Sequence, residues 1–469
     1  MDSLYVSAAY KSSGKTLFCV GLAAVARARG HRVTTFKKGP DYIDASWLWQ
    51  ASGRPCVNLD FHTMSRGEIE LEFAAPDATT WRIVEGTKGL HDGVAADGSD
   101  SNATLASLLA TPVVLVIDTR GTTRGVAPLL RGISEFDARV SIRGVVLNRV
   151  SGPRHLQKLR DAIKTYTDLE VLGALPELDG ELLREEHLGL VPRVEDANAR
   201  NTVEQLATIV DDHIDVEKLL PAAVQNPSST ASVETLGRVS RRNTATEGLR
   251  IGIAQDEAFC FYYPGDLARM RALGAELCFF DTLRDAAVPA VDAVMLGGGF
   301  PERWMHKLSQ NKTMRESVCA FVDSGKPLYA ECGGLMYLCR SLEWGAERVA
   351  LCGVLPADVT MRAKPQGRGY VRLAQSGHAP WGIVGDGEPL RAHEFHYSAM
   401  GLCDIDCQYA YAVERGFGVD GSHDGIIHGN VLASYAHLRH TAASPWVDNF
   451  VAWAAGKNAG FEASATEVV

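Results

Sequence analysis

Five short runs in the first 150 residues, "LYVSAA" (4–9), "HRVTTFK" (31–37), "WRIVEG" (81–86), "PVVLVID" (112–118) and "IRGVVLN" (142–148), are continuous rather than alternating in their apolar character. A strand with one wet face shows polar residues at every second position, whereas a strand covered on both faces does not. Segments of helical periodicity separate the runs, so residues 1–215 predict an α/β domain with a parallel sheet and helices on both faces. Such sheets present their chemistry at the carboxyl ends of the strands.

A chain of 469 residues exceeds one hydrophobic core. Periodicity is lost over 216–248, where "QNPSSTASVETLGRVSRRNTATE" is polar and rich in Ser and Thr, and this stretch is expected to be a flexible linker. A second α/β series runs over 249–457, with "LRIGIAQ", "AELCFF", "VDAVMLGGG" and "KPLYAE" as strands, and 458–469 reads as a tail. No apolar run reaches the roughly 18 residues of a membrane span. The N-terminal sequence lacks the basic and apolar order of a secretion signal, so a cytoplasmic protein is expected. The ten cysteines are scattered, and Cys403 and Cys407 lack the paired spacing of a zinc site. A formal net charge of -10 argues against nucleic acid as a partner, while leaving room for a small polyanion at a local basic cluster.

The first run leads into "AAYKSSGKT", the end of a phosphate-loop pattern, with Ala9 where the pattern has its first glycine. Ser12, Ser13 and Gly14 lie where backbone N–H groups would curl around a phosphate; Lys15 would reach the outer phosphates and the Thr16 hydroxyl a Mg²⁺ ion. Glu85 and Asp118 close strands where an acid can reach the same metal. Asn148 would read an adenine edge or begin a turn. "FKKGPDYIDASW" adds Lys37, Lys38, Asp41, Tyr42 and Asp44 at the same sheet edge, a mixture suited to phosphate, metal and a carboxylate substrate. Arg54, Lys88, Arg120 and Arg124 are further candidates for holding substrate carboxylates.

In "KPLYAECGGLMYLC" a strand ends at Glu331, Cys332 takes the turn, and a helix begins at Gly333. A nucleophile on a strained elbow leaves no room for neighbouring side chains, which explains the glycines, and thiolates are favoured at helix N-termini. The run "LGGGFPE" also follows a strand and brings Gly298 and Gly299 as oxyanion donors beside Gly333. A thiol nucleophile needs a base, and either His437 or His440 of "ASYAHLRH" could serve. "AHEFHYS" adds His393, Glu394 and His396 on an alternating strand, in substrate-side or structural positions.

Together these stretches, with "SGRPCVNLD", "VEGTKGLHDG", "FYYPGDLARMRALGAEL" and "GRGYVRL", resemble the cobyrinic acid a,c-diamide synthase family, glutamine-dependent amidases of tetrapyrrole carboxylates. The resemblance covers nearly the whole chain apart from the linker. It implies a dethiobiotin synthetase-like ATP-binding domain followed by a class I glutaminase domain. Lys15 and Thr16 would bind ATP and Mg²⁺, Asp41 and Glu85 would join the metal site, Cys332 would be the nucleophile and His437 its base. Glutamine, ATP and a tetrapyrrole polyacid are the implied small-molecule partners, and a homodimer is compatible.

Three departures stand out. Ala8 and Ala9 replace the glycine-bearing start of the loop, Arg439 replaces the second histidine of the family's H-x-H motif, and no acid lies two residues after His437 to orient it. "KSSGKT", "FKKGPDYIDASWLWQASGRPCVNLDF" and "ASYAHLR" are most similar to the siroheme-amidating type, with cobyrinate or hydrogenobyrinate as the alternative substrate. From another class, a regulatory P-loop ATPase would explain the first constellation and leave the second unexplained.

Overall fold

The computed structural model describes residues 2–75, 79–178, 185–186, 189–190, 198–220, 248–402 and 407–456. The chain divides into two compact units, Met1–Phe61 with Ser65–Glu234, and Thr235–Val469 with the short segment His62–Met64.

In the first unit the strands are β1 (Ser3–Ala8), β2 (Arg32–Lys38), β3 (Val57–Leu59), β4 (Thr80–Glu85), β5 (Val113–Asp118), β6 (Ile142–Val150) and β7 (Glu170–Pro176). They form one sheet in the order β3-β2-β4-β1-β5-β6-β7, every neighbouring pair parallel, as the continuous apolar runs require. The intervening helices are α1 (Lys15–Ala28), α2 (Ile43–Ser52), α3 (Arg66–Ala74), α4 (Asn102–Leu108), α5 (Val126–Phe136), α6 (Pro153–Tyr166) and α7 (Ala199–His213). Helices α1 and α7 approach closely at Gly21, where an added Cβ would lie 2.6 Å from the Leu206 carbonyl oxygen. Two short strands, β8 (Glu185–Glu186) and β9 (Gly189–Leu190), pair with each other.

Composition placed the start of the linker too early. Val216 and Leu219 are buried in the first unit's core, so residues 216–220 belong to that unit. The rest of the expected linker up to residue 247 lies outside the described residues, as do the expected tail and Cys403.

The second unit is built on a nine-stranded mixed sheet. Strands β10 (Arg250–Ala254), β11 (Glu276–Phe280), β12 (Ala293–Leu296), β13 (Leu328–Glu331) and β22 (Val431–Ser434) are parallel in the order β11-β10-β12-β13-β22. The sheet continues through antiparallel β21 (His423–His428), β20 (Gln408–Arg415), β17 (Gly367–Gln375) and β18 (Leu390–His396). A separate four-stranded sheet holds β14 (Cys339–Trp344), β15 (Glu347–Ala350), β16 (Leu355–Met361) and β19 (Ser398–Leu402). The helices are α8 (Pro264–Ala272), α9 (Met305–Gln310), α10 (Lys312–Asp323), α11 (Gly333–Leu338) and α12 (Trp446–Ala454). Tyr329 packs among Trp381, Trp446 and Phe450, anchoring β13 in an aromatic cluster. Among the described residues no helix is long and apolar enough to cross a membrane.

Candidate active sites

In the first unit the register places Val6 of β1 and Lys37 of β2 against Glu85 of β4, and Asp118 of β5 against Asn148 of β6, all at carboxyl strand ends. The loop between β1 and α1 takes positive φ at Ser12 (58°) and Gly14 (94°). Ala9 is not among the positive-φ positions, so the missing first glycine imposes no backbone strain there. An added Cβ on Gly14 would lie 2.1 Å from the Asn148 amide nitrogen, and Asn148 donates to the Ser13 carbonyl at 2.9 Å. Its amide oxygen accepts the Arg149 N–H at 2.9 Å, and Arg149 donates to the Ser12 carbonyl at 2.9 Å. Asn148 therefore braces the loop through one N–H and its amide oxygen.

The Lys15 ammonium donates to the Lys88 carbonyl at 2.7 Å. Thr16 donates its hydroxyl to Glu85 at 2.7 Å and lies 3.3 Å from Asp44. Lys37 is 2% exposed and donates to Asp44 at 2.5 Å and Glu85 at 2.8 Å. Burial opposes its charge, but Asp44 and then Glu85 outweigh this and hold it well above the usual lysine range. Lys37 is thus embedded in the acidic cluster, where the sequence suggested a substrate-facing cation. Asp44, expected on the substrate side, touches Thr16, whereas Asp41, expected at the metal, accepts the Asp44 N–H at 2.9 Å. Tyr42 stands at the head of α2, and the Lys38 carbonyl accepts the Thr87 hydroxyl at 2.6 Å. Asp118 is tied to Arg120 at 2.8 Å and Arg149 at 2.7 Å, so it is a counter-ion there, while Arg124 lies over the Tyr166 ring.

The second unit brings the cysteine elbow together as expected. Cys332 has φ 46° and ψ -100°, is 6% exposed, caps α11 and donates its N–H to the Ser434 carbonyl at 2.7 Å. A Cβ on Gly333 would come within 2.8 Å of the Pro301 ring and one on Gly334 within 2.3 Å of the Leu296 carbonyl, so both glycines are required by close approach. Gly299 is drawn in with them, its nitrogen 3.2 Å from the Gly333 Cβ position. A Cβ on Gly298 would lie 2.3 Å from Cε1 of His437. Gly297, at the start of the run, donates to the Tyr262 hydroxyl at 2.8 Å.

His437, not His440, is the histidine that interacts with the Cys332 sulfur. The His440 imidazole instead lies 4.0 Å from Asp448. The His437 ring stacks on His393 with centroids 4.8 Å apart and planes 15° from parallel, and the two residues pair through their backbones. Burial lowers the pKa of His437, yet Cys332 and then Glu331 outweigh it and push the group up to about 10. His393 is held well below the usual range by burial and then by the charge of His437. His396 is structural, stacked on Tyr435 with centroids 3.8 Å apart, and Glu394 accepts the Phe417 and Gly418 N–H groups.

Sequence reasoning missed Glu331. Its carboxylate lies 3.6 Å from Nδ1 of His437, both side chains 3% exposed. The signal was an acid ending β13 immediately before the cysteine, at a place in the chain unlike the position two residues beyond the histidine.

Comparison with known proteins finds matches in both units. Residues 250–445 match the family described as the CobB/CobQ-like glutamine amidotransferase domain, and residues 60–181 match an AAA domain. A protein of Magnetococcus marinus named cobyrinate a,c-diamide synthase is 42% identical over 452 residues, covering 94% of this chain and 95% of the relative. The chain belongs to the cobyrinate a,c-diamide synthase family. Proteins of the same name from Archaeoglobus fulgidus (36% identical, 93% of this chain and 94% of the relative) and Methanosarcina acetivorans (34%, 96% and 95%) match over 444 and 480 residues. As a member of this family the chain is a carbon-nitrogen ligase with glutamine as amido donor.

Proposed function

We propose that the protein amidates peripheral acetate carboxylates of a tetrapyrrole polyacid, using ATP to activate the acid and glutamine to supply ammonia. The carrying observation is the pairing of Cys332 on its strained turn with His437 in one domain, alongside a phosphate loop feeding Thr16 into Glu85 and Asp44 in the other. The family names favour cobyrinate and its a and c acetates as the substrate.

In the glutaminase half, His437 takes the Cys332 thiol proton and the sulfur attacks the side-chain carbonyl of glutamine. His437 then returns the proton to the leaving nitrogen, ammonia departs, and water hydrolyses the thioester to glutamate. Backbone N–H groups around Gly298, Gly299 and Gly333 are the candidates to hold the oxyanion. In the synthetase half the substrate carboxylate takes the γ-phosphoryl group of ATP, and ammonia displaces phosphate from the acyl phosphate to give the amide. Lys15 offers its ammonium to the transferring phosphates, and Ser12, Ser13 and Gly14 shape the loop that holds them.

The acidic cluster suits Mg²⁺. Thr16, Glu85 and Asp44 are hard oxygen donors, and Oε2 of Glu85 is buried with no hydrogen-bond partner among the described residues. Among the described residues no group of three or more His, Cys, Asp or Glu side chains forms a ready cage, so ATP phosphates and water would complete the coordination. When bound, the ion would neutralise phosphate charge.

The test is mass spectrometry on full-length protein with glutamine, Mg²⁺ and ATP, offered cobyrinic acid, siroheme and sirohydrochlorin separately. Conversion of cobyrinic acid to its diamide supports the reading. Exclusive amidation of siroheme or sirohydrochlorin would keep the chemistry and replace the substrate, and absence of ATP-dependent amide in every case would overturn the proposal.

Gly298→Ala gives a separate check. Its methyl group would occupy the place of the His437 ring edge, so the imidazole must move. Glutamine-supported turnover is expected to fall about 100-fold, as for a misplaced catalytic group, with ammonia-supported turnover preserved. Parallel steady-state assays with the two nitrogen donors measure the difference.

A further inference from the structure

We propose that Glu331 is the positioning residue for His437, so that the acid of the triad precedes the nucleophile by one residue instead of following the histidine by two. The inference rests on the glutaminase reading of this domain.

The carboxylate is held on one side and offered on the other. Oε1 of Glu331 accepts the Tyr329 hydroxyl at 2.6 Å and the Leu438 N–H at 3.0 Å. Oε2 faces Nδ1 of His437 at 3.6 Å. Catalytic hydrogen bonds of this kind often stand long before substrate binds. Because Leu438 follows His437 directly, the same carboxylate fixes both the ring and the backbone that carries it. The left-handed turn at Cys332 lets consecutive side chains address one imidazole, leaving Nε2 for the thiol proton. Glu331 accepts the Nδ1–H, which sets the tautomer and favours the imidazolium once the thiol proton has moved.

The neighbouring acids are committed elsewhere. Asp424 accepts from Ser434, Tyr435 and Ala436, while Asp266 accepts the His440 N–H and the Trp446 indole. Arg439 occupies the position two residues beyond His437, and a cation there cannot take the role. It lies over the Tyr263 ring, so the groups facing His437 are Cys332 and Glu331 at the β13 turn and neutral His393 on β18, with Arg439 and Asp266 further out.

The experiment compares full-length wild type, Glu331→Gln and Tyr329→Phe. The readouts are kcat and KM for glutamine, ammonia-supported amidation, and the pH dependence of Cys332 alkylation by iodoacetamide. Gln keeps an acceptor for Tyr329 and Leu438 but turns an NH₂ group toward Nδ1. Glu331→Gln is expected to lower kcat with glutamine about 100-fold at little-changed KM, to spare ammonia use, and to move thiol alkylation to higher pH. Tyr329→Phe, which loosens the carboxylate without touching the ring, should lower glutamine kcat about fivefold. Wild-type kcat and alkylation in Glu331→Gln, with a wild type that does hydrolyse glutamine, would overturn the proposal. If Glu331→Gln also loses ammonia use, Tyr329→Phe decides, and unchanged glutamine kcat in that variant overturns it. A wild type that hydrolyses no glutamine removes the glutaminase reading and this proposal with it.

Discussion

Cys332→Ser should reduce glutamine-dependent amidation by at least about 10⁴-fold, the scale seen when a covalent nucleophile is removed, while amidation from added ammonium salts is retained. The serine hydroxyl fits the volume of the thiol at a site that is 6% exposed, so the elbow and the aromatic packing behind β13 are preserved. What disappears is the nucleophile that His437 can activate. ADP release measured with each nitrogen donor gives the answer directly. Loss with both donors in a protein with a wild-type thermal transition would contradict the division of labour between the two domains.

Lys15→Ala should abolish turnover with either donor, by about 10³-fold, because phosphoryl transfer precedes any use of ammonia. Lys15 is 7% exposed and bonded to the Lys88 carbonyl, so it is already held in place before ATP arrives. Hydrolysis of glutamine to glutamate, assayed without ATP, should continue in this variant. The two substitutions therefore separate the half-reactions in opposite directions, and a Lys15→Ala protein that still amidated its substrate would remove the phosphate loop from the mechanism.

The parts of this molecule that could be read from the chain are those in which local pattern and chemistry coincide. The parallel sheet of the first unit followed from strands with no polar alternation, and Glu85 could be placed because a strand end fixes where a residue sits. The inward turn of Lys37 could not be read: adjacent lysines 37 and 38 share one pattern, and only the packed partners Asp44 and Glu85 distinguish them. The antiparallel half of the second sheet was obscure for a different reason. Strands such as Gly367–Gln375 are partly exposed and glycine-bearing, so their hydrophobic signal is weak and their partners are distant in sequence. Glu331 was hidden by its own neighbour, since an acid beside a nucleophile reads as part of the strand until the fold brings His437 to it.

Strand β22 joins the sheet directly beside β13, although about a hundred residues of chain separate them. Cys332 leans on this late arrival, through its N–H bond to Ser434, and the base follows three residues further on. Closing so long a loop costs entropy before it returns any contact, and such non-local pairing is slow. During synthesis the thiol is consequently made long before the histidine that activates it. A ribosome-bound chain that has not reached β22 carries a cysteine with no base, and hydrolysis of glutamine can begin only when the final strand has docked.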